Sequence, residues 1–381
     1  MSYAHNDYAS EFKRRAGPLW DAAVAYAAGR GEPPKRPYQV ELHLASDGAK
    51  HSCLLRCVDC HGQFLRRAGG APRGVWLSLL EQLRNMGVPS VVYSGAYSDP
   101  TMDEELLAEM LLWGGKEWGV KLHCYGLSLS SLVAESISTA AVQGLPQESY
   151  VTVSKTAVDP DVYDRLCRPY NMTAEHALRL EEEGLRRLFD AMERTGWTAR
   201  VSLNCRLTQI NAERQHLADL LRWFSGTPEQ VRLRFTTDYR PTRATDEYLR
   251  RFGAEVYISP EEAGYRLWRA MGDSGCSHKR LGFRVTDPSP RYEGDRCLNA
   301  LLLSAVATDG SVFPCQSIAS PANAAMSYGS VLRRSYEEIW ADYALAWPAR
   351  SKPPDCPSCT ASCEAQLNRS LKVESDARVP L

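Results

Sequence analysis

Three cysteines at close spacing constrain this 381-residue chain more than any other feature of its sequence. Cys53, Cys57 and Cys60 form a C-x₃-C-x₂-C pattern directly after residues 38–46 (YQVELHLAS), a strand-like run. Thiolates are the usual ligands of iron–sulfur clusters, so three on one short loop can hold three irons of a 4Fe–4S cube. The fourth iron is then left open as a coordination site for a substrate or a cofactor.

A zinc knuckle is the alternative interpretation of this loop. It needs a fourth ligand, which His51 or His61 could supply. His61 is adjacent to Cys60, however, and neighbouring residues seldom bind the same ion. A knuckle also gives no reason for the position directly after a strand. The pattern therefore favours iron–sulfur over zinc.

The composition is that of an ordinary globular protein of one or two domains, with 44% hydrophobic and 24% charged residues. A formal net charge of −1 gives no electrostatic reason to expect a nucleic-acid or membrane partner. The N-terminal residues lack the apolar core of a signal peptide, and no apolar run approaches the ~20 residues that span a bilayer. We therefore expect a cytoplasmic protein, in which twelve cysteines favour metal binding over disulfides.

Strand-like and helix-like patterns alternate along most of the chain. Six strands are predicted, at 38–46, 88–94, 120–125, 150–154, 200–206 and 231–236, and helices at 75–86, 102–118, 130–142, 173–195, 211–225 and from Ser259 onward. This alternation indicates an α/β fold of parallel β/α units, either an incomplete barrel or an open doubly wound sheet. In both, ligands bind at the carboxyl ends of the strands.

A second group of cysteines lies in the C-terminal part, beyond a Gly/Ser/Pro/Arg-rich segment at 273–295 that is predicted to be a bridge. Residues 305–314 predict a β-hairpin, because Asp309-Gly310 is a favoured pair for a tight turn. Such a turn lets thiols at the two strand ends converge on one metal. The group consists of Cys297, Cys315, Cys356, Cys359 and Cys363. A zinc ribbon is the alternative to an iron–sulfur cluster here.

The first cysteine loop, placed after the first strand of a β/α partial barrel, resembles the radical SAM superfamily over about residues 38–270. The resemblance implies a partial (β/α)6 TIM-like barrel in which Cys53, Cys57 and Cys60 hold a 4Fe–4S cluster. It also implies that S-adenosylmethionine (SAM) binds the open iron and that its reductive cleavage gives a 5′-deoxyadenosyl radical, which abstracts hydrogen from carbon.

The resemblance also implies cofactor-binding positions at the strand ends. Where the family has a Gly-Gly-Glu-Pro-like segment, this chain has Ser94-Gly95 followed by Asp99-Pro100, and Asp99 keeps the carboxylate. Asp59 stands where an aromatic residue usually packs near the adenine. The further candidates are Ser154, Asn204 and Arg206, of which Arg206 could bind the carboxylate of SAM or a substrate anion. These three could also be ordinary polar groups at strand ends.

The C-terminal cysteines resemble the SPASM/twitch extensions of the same superfamily, because Cys297, Gly310 and Cys315 fit a C-x₉₋₁₅-G-x₄-C element. This resemblance implies one auxiliary 4Fe–4S cluster bound by Cys297, Cys315, Cys356 and Cys359, with Cys363 able to replace either of the last two. A second cluster that recruits Cys276 is the alternative. The expected division is an N-terminal extension (1–37), the barrel (38–272), the bridge (273–295), a twitch/SPASM-like domain (296–370) and a tail (371–381).

A fully ligated auxiliary cluster suits electron transfer, so we expect it to take an electron from a substrate radical and thereby favour oxidation. A base then removes the proton, and the candidate bases or substrate ligands are His123, Tyr125, Asp238 and Tyr239. Relatives act on sugars, aminocyclitols and nucleosides of natural-product pathways, or on peptides. Only 37 residues precede the first strand, too few for a peptide-leader domain, which favours a small polar substrate.

Three other functions remain open. A radical epimerase would need a thiol as hydrogen donor, for which Cys276, Cys205 and Cys363 are candidates. A peptide-modifying maturase or a non-catalytic iron–sulfur electron carrier would use the same clusters. The expected partners are a small-molecule substrate and a reductant of the flavodoxin or ferredoxin type, with no nucleic acid and no membrane.

Overall fold

The computed structural model describes residues 8–47, 53–58, 70–95, 98–145, 147–198, 200–237, 256, 258–274, 276, 278–284, 296–319, 321–349 and 362–377. The chain divides into two compact units. The first unit comprises Met1–Gly48, Gly69–Ala96 and Asp287–Leu381, and the second comprises Ala49–Ala68 and Tyr97–Thr286. In the part of the chain that the structure describes, no helix is long and apolar enough to cross a membrane.

Helices and strands alternate through both units. In chain order they are α1 (Tyr8–Ala16), α2 (Pro18–Ala27), β1 (Gln39–His43), α3 (Arg73–Asn85), β2 (Ser90–Ser94), α4 (Glu104–Trp118), β3 (Lys121–Cys124), α5 (Ser131–Gln143), β4 (Tyr150–Ser154), α6 (Pro160–Cys167), α7 (Ala174–Thr195), β5 (Arg200–Arg206), α8 (Arg214–Ser225), β6 (Arg232–Thr236), α9 (Pro260–Ser274), β7 (Leu281–Arg284), β8 (Leu303–Val306), β9 (Ser311–Phe313), β10 (Gly329–Ser330), α10 (Tyr336–Ala346) and α11 (Ser362–Ala377).

The first unit combines parallel strands with a C-terminal hairpin. β1 pairs in parallel with β2 on one side and with β8 on the other. β9 runs antiparallel to β8 and to β10, so β8 and β9 form the predicted hairpin. Gly310 occupies its turn at φ 78°, a left-handed conformation that glycine adopts without a steric penalty. The hairpin thus extends the same sheet as β1.

The second unit is a sheet of five parallel strands hydrogen-bonded in the order β3-β4-β5-β6-β7. One face is apolar and fully buried, as the side chains of Leu122, Val151, Leu203 and Phe235 show. Successive side chains of a strand point to opposite faces, so the alternate residues share the other face, which is polar. Helix α5 packs between α4 and α7, and α8 packs against α9.

The predicted fold class, an α/β partial barrel followed by a small iron–sulfur domain, is confirmed. All six predicted strands and the hairpin are present, and each predicted helix has a counterpart. Ser259 caps α9 as predicted, because its hydroxyl accepts a hydrogen bond from the backbone of Glu262 at 3.2 Å. The domain boundaries given above remain a prediction.

Two local predictions need correction. The segment 273–295, predicted as a bridge, contains β7, which pairs with β6 and adds a fifth parallel strand to the second unit. Only four residues long and interrupted by Gly282, it forms because β6 offers a parallel partner. The sequence interpretation also assigned no helix to α6, although Asp159 before Pro160 is a capping signal, and the Asp159 carboxylate accepts the backbone N–H of Val162 at 2.9 Å.

A buried ion pair connects the carboxyl end of β4 with α7 and lies beside α8. Lys155 follows β4 directly, and its backbone N–H donates to the carbonyl of Asn204 at 2.9 Å. Its ammonium lies 2.7 Å from the Glu181 carboxylate of α7, and both side chains are fully buried. The same ammonium is 4.7 Å from the ring centroid of Trp223 on α8. Because an unpaired buried charge is costly, each partner depends on the other.

We predict that Lys155→Met lowers the free energy of unfolding by about 3–5 kcal/mol, because it leaves the Glu181 carboxylate buried without its cation. Arg222→Met is the matched control. It breaks an exposed pair with Asp219 and should cost about 0.2–1 kcal/mol. Urea unfolding followed by fluorescence measures both. A loss in Lys155→Met no greater than in Arg222→Met would contradict the role given to the buried pair.

Candidate active site and auxiliary cluster site

The first cysteine loop is fastened to the C-terminal end of α6 by a short backbone ladder. Leu55 and Pro169 form an antiparallel bridge. The other hydrogen bonds run from the N–H of Val58 to the carbonyl of Leu166 (2.7 Å), of Arg56 to Cys167 (2.9 Å) and of Tyr170 to Leu54 (2.8 Å). The last carbonyls of a helix have no partner within it, so the loop supplies the donors that α6 lacks.

The turn after α6 directs the chain back along the cysteine loop. Arg168, at the C-cap of α6, has φ 43°, a left-handed conformation that a non-glycine residue rarely adopts. Two residues later, the ring of Tyr170 lies beneath the guanidinium of Arg56, with 4.2 Å from the guanidinium carbon to the ring centroid. This cation–π contact stabilises the loop in addition to its backbone hydrogen bonds.

The two described cysteines of the loop differ in exposure. Cys57 is buried within an apolar cluster that includes Val58, Tyr163 and Cys167, whereas Cys53 is partly exposed. The Sγ atom of Cys53 accepts a hydrogen bond from the backbone of Leu55 at 3.4 Å. Thiol donors in a largely apolar shell, with a backbone N–H directed at one sulfur, fit an iron–sulfur cluster.

The third thiol predicted for this loop, Cys60, lies outside the described residues. Among the residues that are described, no three His, Cys, Asp or Glu side chains converge on one point. The three-thiol site therefore remains a prediction, supported by the placement of Cys53 and Cys57.

Asp99 is a buried carboxylate whose two oxygens both accept hydrogen bonds from the protein. One carboxylate oxygen accepts the backbone N–H and the hydroxyl of Thr101, at 3.0 and 2.8 Å. The other accepts the backbone N–H of Tyr125, directly after β3, at 3.2 Å. Burial raises the pKa of Asp99, and these hydrogen bonds act in the opposite direction. Asp99 thus fixes the end of β3, and its binding of SAM remains a prediction.

Tyr125 connects the ends of three elements. Its hydroxyl shares a hydrogen bond with Thr156, just after β4, at 2.7 Å, and lies 3.2 Å from the thiol of Cys167 at the end of α6. It therefore reaches the helix end that supports the cysteine loop. The spacing of Cys167 in the sequence gives no sign of this contact.

The polar face of the second unit brings three predicted cofactor residues together. Ser154 pairs in register with Asn204, and Arg206 lies two residues further along β5, opposite Thr236. All three are partly exposed and lie at the carboxyl ends of their strands. His123 shares this face, where its ring nitrogen lies 3.3 Å from the hydroxyl of Tyr150.

Other predicted site residues lie elsewhere or are not described. Cys276 follows α9 and precedes β7, so it lies at the amino ends of the strands. That position counts against Cys276 as a hydrogen donor to a site at the carboxyl ends. Ser94 and Gly95, at the end of β2, belong to the first unit. Asp238 and Tyr239 lie outside the described residues.

The candidate auxiliary site of the first unit lies at the end of the hairpin. Tyr328 is close to the thiols of both Cys297 and Cys315, and its ring stacks on that of Tyr343 with 3.5 Å between centroids. Burial raises the pKa of Tyr328, and Tyr343 and the two thiols raise it further. The indole N–H of Trp347 donates to the carbonyl of Cys297 at 3.0 Å. Both thiols thus act on the same tyrosine, and their joint binding of one cluster remains a prediction.

A buried amide connects the Cys297 segment with α11. The side-chain oxygen of Asn368 accepts the backbone N–H groups of Leu298 and Asn299, at 2.8 and 3.1 Å. Cys363 is the second residue of α11, and only its backbone is described. Cys356 and Cys359 lie outside the described residues. The sequence interpretation missed Asn368, because a single asparagine in a helix carries no motif.

The comparisons with known proteins agree with this arrangement of cysteines. Residues 297–364 match the model of the SPASM family, described as an iron–sulfur cluster-binding domain. No curated protein matches the chain.

Solved structures share the fold at low sequence identity. SuiB of Streptococcus suis is 13% identical, with a TM-score of 0.50 over 81% of this chain and 66% of SuiB. SuiB bound to its precursor peptide SuiA gives 12% identity and a TM-score of 0.53 over 93% of this chain and 74% of that one. anSMEcpe with bound AdoMet gives 15% identity and a TM-score of 0.51 over 80% of both chains.

The matches agree with the class of protein that the two cysteine groups predict. Residues 297–364 match the SPASM iron–sulfur domain, and the chain shares the fold of SuiB and anSMEcpe, which are radical SAM enzymes. The resemblance drawn from the two cysteine groups is thereby confirmed. The cofactors expected from that resemblance, iron–sulfur clusters and SAM, agree with the same matches.

We predict that Tyr170→Ala loosens the first cysteine loop, because it removes the ring beneath Arg56. A cation–π contact of about 0.5–1 kcal/mol corresponds to a roughly two- to fivefold faster loss of iron from the reconstituted protein to a chelator. Iron release followed by absorbance measures the rate, and Tyr170→Phe, which keeps a ring, should stay near wild type. Equal rates for Tyr170→Ala and wild type would show that the contact does not stabilise the loop.

Proposed function

We propose that this chain is a radical SAM enzyme that oxidises a small polar intermediate of natural-product biosynthesis, of the sugar, aminocyclitol or nucleoside type. The observation that carries the proposal is the SPASM match at 297–364 in a chain whose C-x₃-C-x₂-C loop is held by a dedicated backbone ladder. A reduced 4Fe–4S cluster with bound SAM supplies a 5′-deoxyadenosyl radical for hydrogen abstraction.

In this proposal the residues of the chain position the cofactors. Cys53, Cys57 and Cys60 hold the first cluster, and the C-terminal cysteines hold the auxiliary cluster. The residues of the second unit proposed to contact SAM are Asp99, Ser154, Asn204 and Arg206, whereas Ser94 and Gly95 remain candidates from the sequence alone. The polar groups of Ser154, Asn204 and Arg206 at neighbouring strand ends support this assignment, because parallel sheets bind ligands at that edge.

The proton of an oxidised substrate must pass to a base. His123 and Tyr125 are the described candidates, and Asp238 and Tyr239 remain candidates from the sequence alone. His123 lies on the polar face and is exposed, so it is accessible to a bound molecule. A reductant of the flavodoxin or ferredoxin type and a cytoplasmic location stay part of the proposal.

A peptide-modifying maturase is the second candidate function, and one observation favours it. SuiB, which shares the fold, has been solved with its precursor peptide SuiA. A radical epimerase is a third candidate, with Cys205 and Cys363 as remaining hydrogen donors. Cys205 is fully buried on β5, where its thiol lies 3.7 Å from the side-chain nitrogen of Asn211, so Cys205 is poorly placed for this role.

Anaerobic cleavage of SAM tests the proposed class. We predict that the reconstituted protein with SAM and a strong reductant forms 5′-deoxyadenosine, measured by chromatography, and that Cys57→Ala forms none. Cys205→Ala is the matched control, since it also removes a buried thiol of the second unit but not one proposed to bind iron. If the wild-type protein forms no more 5′-deoxyadenosine than Cys57→Ala does, with candidate substrates present, the proposed class is rejected. The electron-carrier alternative then remains.

The reaction in D₂O separates the candidate outcomes. An oxidation gives a carbonyl product without deuterium at the oxidised carbon. An epimerisation through an exchangeable thiol gives a product of unchanged oxidation state that carries one deuterium at the inverted carbon. Mass spectrometry of the product distinguishes them, and a mass gain of one deuterium without loss of two hydrogens would overturn the oxidation proposal.

A further inference from the structure

A second thiol lies directly opposite Cys57 of the first cysteine loop. It belongs to Cys167, the last residue of α6. Leu55 and Pro169 form the antiparallel bridge between the loop and the chain that follows α6. Opposite residues in an antiparallel pair keep a constant register, so two positions forward from Leu55 and two back from Pro169 are again opposite each other. These two positions are Cys57 and Cys167.

Backbone hydrogen bonds on both sides of Cys57 hold it beside Cys167. The N–H of Arg56 donates to the carbonyl of Cys167 at 2.9 Å, and the N–H of Val58 donates to the carbonyl of Leu166 at 2.7 Å. The Cα atoms of directly opposite residues in an antiparallel pair are about 4.5–5.5 Å apart. That separation falls within the range of roughly 4.4–6.8 Å that a disulfide requires. The two backbones are therefore close enough for their sulfurs to bond.

The side chains of both cysteines lie in the same buried cluster, together with Tyr163. Burial raises the pKa of Tyr163, and the Glu181 carboxylate and then the thiols of Cys167 and Cys57 raise it further. Both sulfurs are thus close to one phenol group. Tyr163 precedes Cys167 by one turn of α6, so these two side chains share a face of the helix. Cys57 reaches the same face from the loop.

The thiol of Cys167 is held in place by Tyr125. The hydroxyl of Tyr125 lies 3.2 Å from the Sγ atom of Cys167 and shares a hydrogen bond with Thr156 at 2.7 Å. Because Thr156 follows β4, this contact fixes the sulfur relative to the sheet. Cys167 is not among the cysteines proposed to bind iron, so its sulfur is available for other chemistry with Cys57.

We propose that Cys167 is the resolving thiol for Cys57, and that hydrogen peroxide joins the two in a reversible disulfide when no cluster is bound. Peroxide oxidises the Cys57 thiol to a sulfenic acid and is itself reduced to water. The Cys167 thiol then attacks that sulfur, so that the S–S bond forms, the S–O bond breaks and a second water leaves. Two thiols and one peroxide thus give one disulfide and two waters.

The disulfide would preserve Cys57 as a ligand. A thiol reductant reverses a disulfide, whereas further oxidation of a sulfenic acid to a sulfinic acid is irreversible in this chain's own chemistry. Cys57 is buried, but a thiol that receives iron during cluster assembly can also be reached by a molecule as small as peroxide. The pairing of the thiols stands apart from the proposed function, and only its benefit for cluster binding rests on that function.

Peptide mapping of the full-length, iron-free chain tests the proposal. The protein is treated with equimolar hydrogen peroxide, the remaining thiols are blocked with N-ethylmaleimide, and an unreduced tryptic digest is analysed by mass spectrometry. Trypsin separates Cys53 (peptide 51–56) from Cys57 (57–66) and from Cys167 (166–179). We expect a disulfide between peptides 57–66 and 166–179 as the main product. It should persist in Cys60→Ala, which alters the same peptide, and disappear in Cys167→Ala.

Recovery after reduction gives a second readout. After peroxide and then a thiol reductant, Cys167→Ala should retain severalfold more Cys57 as sulfinic acid than wild type does. Cys124→Ala, which removes another buried thiol of the second unit, should behave like wild type. A Cys57 disulfide to Cys53 or Cys60 in place of Cys167 would overturn the inference, and so would equal sulfinic acid in Cys167→Ala and wild type.

Iron uptake by the reduced wild-type chain keeps this inference separate from the proposed function. A disulfide between Cys57 and Cys167 in a chain that takes up no iron rejects only the proposed function. Iron uptake by a chain that forms no such disulfide rejects only the resolving role of Cys167. The wild-type peptide map decides the pairing even where a variant fails to fold.

Discussion

Parallel backbone hydrogen bonding in register is the constraint on which the second unit depends. It makes residues at corresponding positions of β3 to β7 point the same way, so that Leu122, Val151 and Phe235 are buried while the alternate positions stay polar. Side chains from five strands therefore line one surface, although no local sequence motif marks them. The ion pair of Lys155 and Glu181 then keeps the end of that surface from moving relative to α7.

The cysteine loop depends on a different kind of support. Residues 53–58 include only an isolated bridge residue and no helix or strand, and their backbone donors are paired with the carbonyl ends of α6. The conformation of this loop is thus fixed by hydrogen bonds to a helix about a hundred residues away in sequence. The thiol positions are therefore determined by packing in the second unit as well as by cysteine spacing.

The sequence was sufficient to predict the strands, the hairpin and the class of both cysteine groups, because periodicity and spacing are local signals. It was insufficient where tertiary partners decide. β7 forms because β6 lies beside it, the thiol of Cys167 contacts the hydroxyl of Tyr125, and Cys276 lies at the amino ends of the strands.

The contact of Asn368 with Leu298 joins positions 70 residues apart. A pairing of such sequence separation costs conformational entropy, because it closes a long loop of the chain. The contact restrains the segment that follows Cys297 together with α11, the helix that bears Cys363. In the proposed function, cluster binding and this contact would thus favour each other, because both restrain the Cys297 segment and α11.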